Sequence, residues 1–252
     1  MTITSQDELE ALRRIGRIVA TVLRDMGKAL EPGMTTLELD AIGRKGLEAH
    51  GARSAPELDY NFPGATCISV GNASGCEVAH GVPGARVIKA GDLVNIDVSA
   101  ELGGFYGDTG ASFAVPPVRP HITRLCRDGK RAMWEGIGAV RSDARLADIG
   151  ERIERFADKG GYTLIRNLAS HGVGRSLHEE PDSIATWRDR SERRRMHDGL
   201  VFTIEPFLSL GATYADETDD GWTLIADPAA PTVQYEHSLV VTKSGPVILT
   251  MA

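Results

Sequence analysis

The sequence predicts an α+β fold in which helices pack outside an antiparallel sheet. Helical and strand-like segments come in clusters rather than in alternation, which favours this class over a parallel α/β sheet. The order helix, helix, strands occurs twice at similar length. Because no Gly/Ser-rich linker separates the two occurrences, we expect a single domain over residues 1–252, with pseudo-symmetric halves of about 1–116 and 117–252.

The first half opens with two predicted helices. Ser5 and Glu8 fit a capping box, and apolar residues then recur at three- and four-residue spacing up to the Glu31-Pro-Gly break. Thr35 repeats the capping pattern and begins a second helix that closes near Gly51. Short strand-like runs follow: TCISVG at 66–71, LVNIDVS at 93–99 and ASFAV at 111–115.

The second half begins after Pro116-Pro117, which breaks the chain. The apolar spacing predicts one helix over about 122–140 and another over about 146–159, ended by a Gly-Gly pair. Strand signals then return in three runs: LVFTIEPFLSL, SLVVT and PVILT.

Composition excludes several classes of protein. The net charge is −7, and the basic cluster near 188–195 is interrupted by acids, so specific nucleic-acid binding is not expected. The three cysteines Cys67, Cys76 and Cys126 lack the spacing of a disulfide scaffold or a zinc ribbon. The polar N-terminus does not resemble a signal peptide, and no apolar run approaches the ~20 residues that span a bilayer. We therefore expect a cytoplasmic protein without a membrane segment.

The segment LVNIDVSAELGGFYGDTGASF looks like a β-hairpin, yet each arm carries an acid. If Leu102 and Gly103 form the centre of the turn, Asp97 and Asp108 face each other with Cβ atoms about 5 Å apart. Such close like charges repel unless a cation lies between them. A one-residue register shift would place the two acids on opposite faces, and the hairpin alone leaves both registers open.

Further polar residues stand in apolar or glycine-rich sequence. Taken singly, each is explained as a hydrogen-bonded core or surface residue, but together they suggest a site. They are His80 in EVAHGVPG, His171 in ASHGVG, His178 in LHEEP, Glu205 in VFTIEPF and Glu236 in VQYEHSLVV.

The four acids in strand-like sequence require a counter-charge. They are Asp97, Asp108, Glu205 and Glu236, and no Lys or Arg is comparably placed in the sequence. Two divalent cations would balance four carboxylates, and a neutral His would add a ligand without charge. Oxygen ligands with one imidazole and no thiolate fit Mn, Fe(II), Co or Zn. Two metals about 3.5 Å apart can activate water and polarise a carbonyl group.

The motifs in combination resemble those of the type I methionine aminopeptidases, over nearly the whole chain. They occur in the family's order: CISVG, VAHGVPG, VNIDVS, FYGDTGASF, SHGVGRSLHEEP, VFTIEPF, DGWT and QYEHSLVVT. The resemblance implies the pita-bread (creatinase/aminopeptidase-like) fold with internal pseudo-two-fold symmetry. It also implies a metal-dependent enzyme that removes the initiator methionine from nascent polypeptides when the second residue is small. We expect a monomer, with a transient ribosome contact as a candidate interaction.

The resemblance also implies roles for individual residues. Asp108 and Glu236 match ligands that bridge two metals, Asp97 would complete one metal, and His171 and Glu205 would complete the other. His80 and His178 match histidines that contact the substrate around the scissile amide, and Glu205 would also move protons. The residues that match the pocket for the methionine side chain are Phe62, Cys67 and Trp222.

Three features depart from the family pattern. Asp59 stands where an aromatic residue is common, and Leu177 stands before His178 where Phe is common. The link between the Cys67 strand and His80 is longer than usual because of extra residues at 71–76, which we expect beside the mouth of the site. These changes bear on the selectivity of the pocket rather than on the chemistry.

Two other functions are compatible with the same fold. An X-Pro aminopeptidase or prolidase would generally carry a separate N-terminal domain, whereas here the first helix begins within ten residues of the start. A non-catalytic pita-bread binding protein would be expected to lose metal ligands, whereas all five ligand positions and both histidines are present.

Overall fold

The computed structural model describes residues 1–72 and 75–252, and it confirms the predicted α+β class. Five helices lie within these residues: α1 Gln6–Ala29, α2 Thr36–Ala49, α3 Ala55–Tyr60, α4 Pro120–Ile137 and α5 Ala147–Gly160. The strands of the first half are β1 Arg53–Ser54, β2 Cys67–Asn72, β3 Gly75–Ala79, β4 Leu93–Leu102 and β5 Phe105–Ala114. Those of the second half are β6 Thr163–Leu164, β7 Ser170–Gly172, β8 Glu179–Ile184, β9 Val201–Ile204, β10 Phe207–Ser209, β11 Tyr214–Glu217, β12 Leu224–Asp227, β13 Thr232–Gln234, β14 His237–Thr242 and β15 Gly245–Ile248.

The described strands form three sheets in which neighbours pair antiparallel. The largest runs in the order β1-β4-β2-β3-β12-β11, with β5 paired to β4. The second runs β15-β14-β9-β7-β8, and the third β13-β10-β6. Strands β11 and β12 come from the second half of the chain but pair beside β3, so the two halves share one sheet.

The two N-terminal helices begin near the predicted capping residues. The Ser5 hydroxyl accepts a hydrogen bond from the Glu8 N–H at 3.2 Å, but the Glu8 carboxylate reaches the Thr4 N–H at 2.7 Å instead of Ser5. At Thr35 both hydrogen bonds of the capping box form. The apolar faces of α1 and α2 pack in one core cluster with the inward-facing side chains of β2 and β4.

The second pair of helices covers the second half in a similar way. Helix α4 ends at Ile137, a little before the predicted 140, and α5 ends where Gly161 adopts a positive φ of 74°. Their apolar faces pack against side chains of β9 and β14. The helices thus lie outside the sheets, and the site described below lies between the strands.

The register of the β4–β5 hairpin differs from the predicted one. Asp97 pairs with Gly110 and Asp108 pairs with Ser99, so the two acids are diagonal neighbours rather than direct partners. The turn is centred on Gly103 and Gly104, with φ of 63° and 81°. A two-residue hairpin turn of this kind requires positive φ at both central residues, which two consecutive glycines allow and Leu102 does not. The partner of Asp97 thus moves by two residues, from Asp108 to Gly110. A shift of two residues leaves both acids on the same face, as their proposed role requires.

The 71–76 insertion lies partly beyond what can be described, because residues 73 and 74 fall outside the described residues. Gly71 and Cys76 line a cavity of about 720 Å³ that is separate from the candidate site. Within residues 1–72 and 75–252, no helix is long and apolar enough to cross a membrane.

Candidate metal centre

The predicted site residues converge on one cavity of about 410 Å³, a size typical of small-ligand sites. Nine of them line it: Phe62, Cys67, His80, Asp97, Asp108, His171, His178, Glu205 and Trp222. The tenth, Glu236, lies behind Asp108 and His171, within 4.8 Å of their ligand atoms. The site thus draws on both halves of the chain.

Strands or strand ends hold each candidate ligand. Asp97 and Asp108 lie in β4 and β5, and His171 lies in β7. Glu205 directly follows β9, and Glu236 directly precedes β14. The backbone N–H of Glu236 donates to the carbonyl oxygen of Gly110 at 2.9 Å, which ties this segment to the hairpin.

Asp108, His171 and Glu236 form the centre of the group. Their side chains are buried, and one ligand atom of each lies within 4.8 Å of the others. The Nε2 atom of His171 lies 3.6 Å from Asp108 Oδ2 and 3.4 Å from Glu205 Oε1. These separations leave room for an ion among the atoms rather than forming tight direct hydrogen bonds.

Two oxygen atoms in this group have no hydrogen-bond partner among the described residues. They are Asp108 Oδ1 and Glu236 Oε1, both fully shielded from solvent. Among the described residues, no Lys or Arg forms an ion pair with Asp97, Asp108, Glu205 or Glu236. Orphaned carboxylate oxygens without a counter-charge are costly, and a divalent cation is the partner that this donor set fits.

The pKa values of the carboxyl groups also reflect the missing counter-charge. Burial raises the pKa of Asp97 to about 6, although its hydrogen bonds act in the opposite direction. Burial and the neighbouring Asp97 raise the pKa of Glu205 to about 8. The pKa values of Asp108 and Glu236 are raised well above the usual range by burial and by the other carboxylates. Without a cation, the four groups cannot all be ionised together at neutral pH.

His171 is arranged as a metal ligand. Its Nδ1 lies 3.0 Å from the carbonyl oxygen of Gly172, so Nδ1 carries the proton and donates to that oxygen. The Nε2 lone pair therefore faces Asp108 and Glu205. Burial and the nearby His178 lower the pKa of His171 to about 3, which keeps the ring neutral.

Two outer partners of the ligands were not predicted from the sequence. Gln234 Nε2 donates to Asp97 Oδ2 at 3.2 Å and to Glu236 Oε2 at 3.1 Å. The Thr203 hydroxyl donates a hydrogen bond to Glu205 Oε1 at 2.8 Å and accepts one from the backbone N–H of His171 at 3.1 Å. Each stands two residues before an acid, and alternate residues of an extended chain share a face, so this spacing was a usable signal. Outer partners of this kind fix the orientation of metal ligands.

His80 and His178 line the cavity without belonging to the buried group. His80 follows β3 and has φ of 51°, a left-handed conformation that is uncommon outside glycine and that concentrates at functional sites. The His178 ring lies against that of His171, with 3.9 Å between ring centroids. Desolvation lowers the pKa of both rings, to about 4 for His178 with His80 contributing, so both are neutral at pH 7.

An apolar wall completes the cavity. The rings of Phe62 and Trp222 meet edge to face, with centroids 5.3 Å apart. Cys67 pairs with Asp97 across β2 and β4, and burial raises the pKa of its thiol well above the usual value. Leu177 is buried and lines the same cavity. These side chains form a pocket that suits an unbranched, sulfur-containing side chain.

Asp59 does not replace a pocket aromatic as the sequence suggested. It is not among the residues that line the cavity, and its carboxylate accepts hydrogen bonds from the Tyr106 hydroxyl at 2.8 Å and the Leu177 N–H at 3.1 Å. Tyr60, the next residue, supplies an aromatic ring to the cavity. Tyr60 could not be singled out from the sequence, because its partner His178 lies 118 residues further along the chain.

Comparisons with known proteins agree with this geometry. The model of metallopeptidase family M24 matches residues 10–243. The chain is 44% identical to methionine aminopeptidase 2 of Bacillus subtilis over 99% of both chains. The crystal structure of methionine aminopeptidase from Rickettsia prowazekii superposes with a TM-score of 0.93 at 33% identity, covering 100% of both chains. Prolidase from Pyrococcus furiosus shares the fold at a TM-score of 0.78 and 20% identity, but the chain covers only 66% of it.

Proposed function

The chain belongs to metallopeptidase family M24 and is an aminopeptidase that uses divalent metal to remove N-terminal methionine, and we propose that two metal ions act in this reaction. The proposed ligands are Asp97, Asp108, His171, Glu205 and Glu236. The observation that carries the proposal is the group of buried carboxylates without a counter-charge around the free Nε2 of His171.

The two unpartnered oxygens suggest how the ligands are divided. Asp108 and Glu236 each have one oxygen without a hydrogen-bond partner, which makes them the candidates for ligands shared between two ions. His171 and Glu205, whose ligand atoms are 3.4 Å apart, would serve one ion, and Asp97 would complete the other. Mn, Fe(II), Co and Zn are all compatible with this set.

When bound, the metals supply Lewis-acid polarisation of the substrate carbonyl and lower the pKa of a water molecule. Glu205 faces the cavity and is the candidate to accept a proton from the attacking water and to pass it to the leaving amine. His80 and His178 are neutral and can donate hydrogen bonds to the amide as it becomes tetrahedral.

The substrate is held by its first side chain and by its α-amino group. Phe62, Cys67 and Trp222 bind the methionine side chain in the apolar wall. The free ammonium of the substrate is attracted to the acidic end of the cavity, which disfavours formylated or acetylated N-termini. The second residue is small, because Tyr60 and His178 lie together in the wall of the cavity and restrict the space beyond the scissile amide.

We further propose a single catalytic domain whose two halves, about 1–116 and 117–252, are related by a pseudo-two-fold axis. The clustered order of helices and strands in each half supports this. We also propose a cytoplasmic monomer that contacts the ribosome transiently, the contact because nascent chains emerge from ribosomes.

The direct test is a panel of peptides with metal-reconstituted protein. Met-Gly-x should be cleaved well, Met-Val-x more slowly, and x-Pro peptides and N-formyl-Met-Gly-x hardly at all. The metal-free protein should be inactive and should regain activity on addition of Mn²⁺ or Co²⁺. Faster release from x-Pro peptides than from Met-Gly-x would replace the substrate assignment while leaving the metal centre in place.

A further inference from the structure

Two consecutive residues at the end of α3 hold the segment that carries His178. The Tyr60 hydroxyl lies 2.8 Å from Nδ1 of His178, and their rings meet edge to face with 5.6 Å between centroids. The Asp59 carboxylate accepts the N–H of Leu177, one residue earlier, at 3.1 Å. We call this pair of residues, Asp59 and Tyr60, the α3 clasp.

The α3 clasp is itself anchored. The second oxygen of Asp59 accepts a hydrogen bond from the hydroxyl of Tyr106, at 2.8 Å, on strand β5. The backbone N–H of Tyr106 donates a hydrogen bond to the carbonyl oxygen of Gly174 at 2.9 Å. Gly174 lies three residues before Leu177, which Asp59 holds. The Ser176 hydroxyl donates to the carbonyl oxygen of His178 at 2.9 Å. The backbone that leads to His178 is therefore held at Gly174, at Leu177 and at the carbonyl group of His178 itself.

The two neighbouring histidine rings have different partners on Nδ1. In His171, Nδ1 faces a carbonyl oxygen, which can only accept, so Nε2 of that ring is a lone pair. In His178, Nδ1 faces a phenol hydroxyl, which can donate. A hydroxyl that donates to Nδ1 places the ring proton on Nε2, and Nε2–H is the donor that an amide oxygen in the cavity needs.

We propose that the α3 clasp positions His178 for catalysis: Tyr60 fixes its ring orientation and its Nε2–H tautomer, and Asp59 fixes its backbone. The neighbouring rings of His171 and His178 then have opposite tautomers, one suited to a metal and the other to the substrate. Tyr60 and Asp59 are positioning residues, since they act through His178. The proposal rests on the proposed role of His178 in turnover.

The test combines a conservative substitution with two readouts. Tyr60→Phe removes only the hydroxyl, and Tyr214→Phe, at an exposed tyrosine in β11 away from the cavity, is the matched control. Long-range ¹H–¹⁵N spectra of the histidine rings report the tautomer of His178 in metal-free and in Zn²⁺-loaded protein. The signals of the His178 ring are assigned by their absence from the spectrum of His178→Ala. Steady-state kinetics on Met-Ala-x report kcat and KM.

We expect the Nε2–H tautomer in the wild type and a mixture of tautomers in Tyr60→Phe, with Zn²⁺ affinity unchanged. The kcat of Tyr60→Phe should fall roughly 3- to 10-fold, the scale of one lost hydrogen bond, with a smaller change in KM. Asp59→Asn should also lower kcat, because the amide nitrogen of Asn cannot accept a hydrogen bond and one of the two bonds from Tyr106 and Leu177 is lost. Tyr214→Phe should match the wild type in both readouts.

Each other outcome separates this proposal from the proposed function. A wild-type tautomer in Tyr60→Phe, or an altered tautomer with wild-type kcat, overturns the positioning role if His178→Ala is itself strongly impaired. Unimpaired turnover in His178→Ala would instead show that His178 does not take part in turnover. The α3 clasp would then have no role in catalysis. An Nδ1–H tautomer in the wild type would show that Tyr60 accepts rather than donates and would also overturn the proposal.

Discussion

The floor and the mouth of the cavity are built on different physical principles. The floor consists of Asp97, Asp108, His171, Glu205 and Glu236, which come from strands or strand ends and carry uncompensated charge. The mouth consists of the α3 clasp and His178, which are held by hydrogen bonds between residues far apart in the chain. The Tyr60 side chain is 42% exposed, whereas Asp108 is 5% exposed.

This difference separates two kinds of failure. The carboxylates of the floor can all be ionised only when a cation balances them, so damage to the floor should appear first as lost metal. The mouth holds its geometry by hydrogen bonds and ring contacts, so damage to it should appear as lost turnover with the metal retained. Substitutions in the two regions should therefore give opposite patterns of metal content and activity.

The largest effect is expected for Asp108→Asn, in the floor. Asn keeps the size of the side chain but removes a charge and an oxygen that lacks any other partner. Metal affinity should fall by more than about 10²-fold, since the loss of an outer partner alone costs about 10- to 100-fold. Calorimetric titration with Mn²⁺ measures this, with Asp216→Asn, an exposed residue of β11, as the control. Tight binding of two ions by Asp108→Asn would mean that Asp108 is not a shared ligand.

His178→Ala, in the mouth, should give the opposite pattern. Metal content should stay near that of the wild type, while kcat falls by roughly 10²-fold, as for other groups that stabilise a transition state. His121→Ala, at an exposed position of α4, is the control. If the His178 variant lost its metal instead, the division between floor and mouth would be wrong.

The floor could be predicted from sequence because its chemistry is visible in single residues. Four acids in apolar, strand-like runs, with no Lys or Arg comparably placed in the sequence, indicated a cation. The predicted register of the hairpin was wrong, because it depends on whether Leu102 or Gly104 joins Gly103 at the centre of the turn. The six-residue helix α3 and the link from Tyr60 to His178 were not predicted, because they arise only when distant segments pack together.

Thr203→Val should show how far the floor extends beyond its ligands. Valine has the shape of threonine but cannot donate to Glu205 or accept the N–H of His171. Metal affinity should fall by about 10- to 100-fold with a smaller effect on kcat in metal-saturated enzyme. Thr186→Val is a matched control, because the buried hydroxyl of Thr186 has no hydrogen-bond partner among the described residues. Equal metal affinity in both variants would confine the floor to the ligands themselves.

The pH dependence of stability should separate the metal-free floor from the rest of the fold. Burial raises the pKa of Glu205 from 4.5 to about 8, so the folded protein keeps a proton that the unfolded chain has released. The free energy of unfolding then falls as pH rises, by at most about 1.4 kcal/mol per pH unit for one proton. The histidines with lowered pKa act in the opposite direction, but only below their unfolded value of 6.5.

The informative window is therefore pH 6.5 to 8, with the upper limit set by the pKa of Glu205. Thermal unfolding of the chelated protein should show a Tm that declines across this window, by about 2–4 °C per kcal/mol. With saturating Mn²⁺ the decline should vanish or reverse, because the metal displaces the retained protons. A flat profile for the chelated protein would mean that the carboxylates are already ionised without metal.

The smallest effect concerns the proposed methionine pocket, in the apolar wall of the cavity rather than in the mouth. Phe62, Cys67 and Trp222 contact a side chain by shape and dispersion, and norleucine has nearly the shape of methionine. Replacement of the sulfur by a methylene should change kcat/KM by less than the roughly 10- to 200-fold that a missing methylene costs in a pocket, because the shape of the side chain is nearly unchanged. The proposed exclusion of large second residues by Tyr60 and His178 is steric and has no such limit. In one competition assay, the ratio of kcat/KM for Met-Ala-x to that for Met-Arg-x should therefore be larger than the ratio for Met-Ala-x to norleucine-Ala-x. The reverse order would mean that the pocket, rather than the clasped mouth, determines which N-termini are cut.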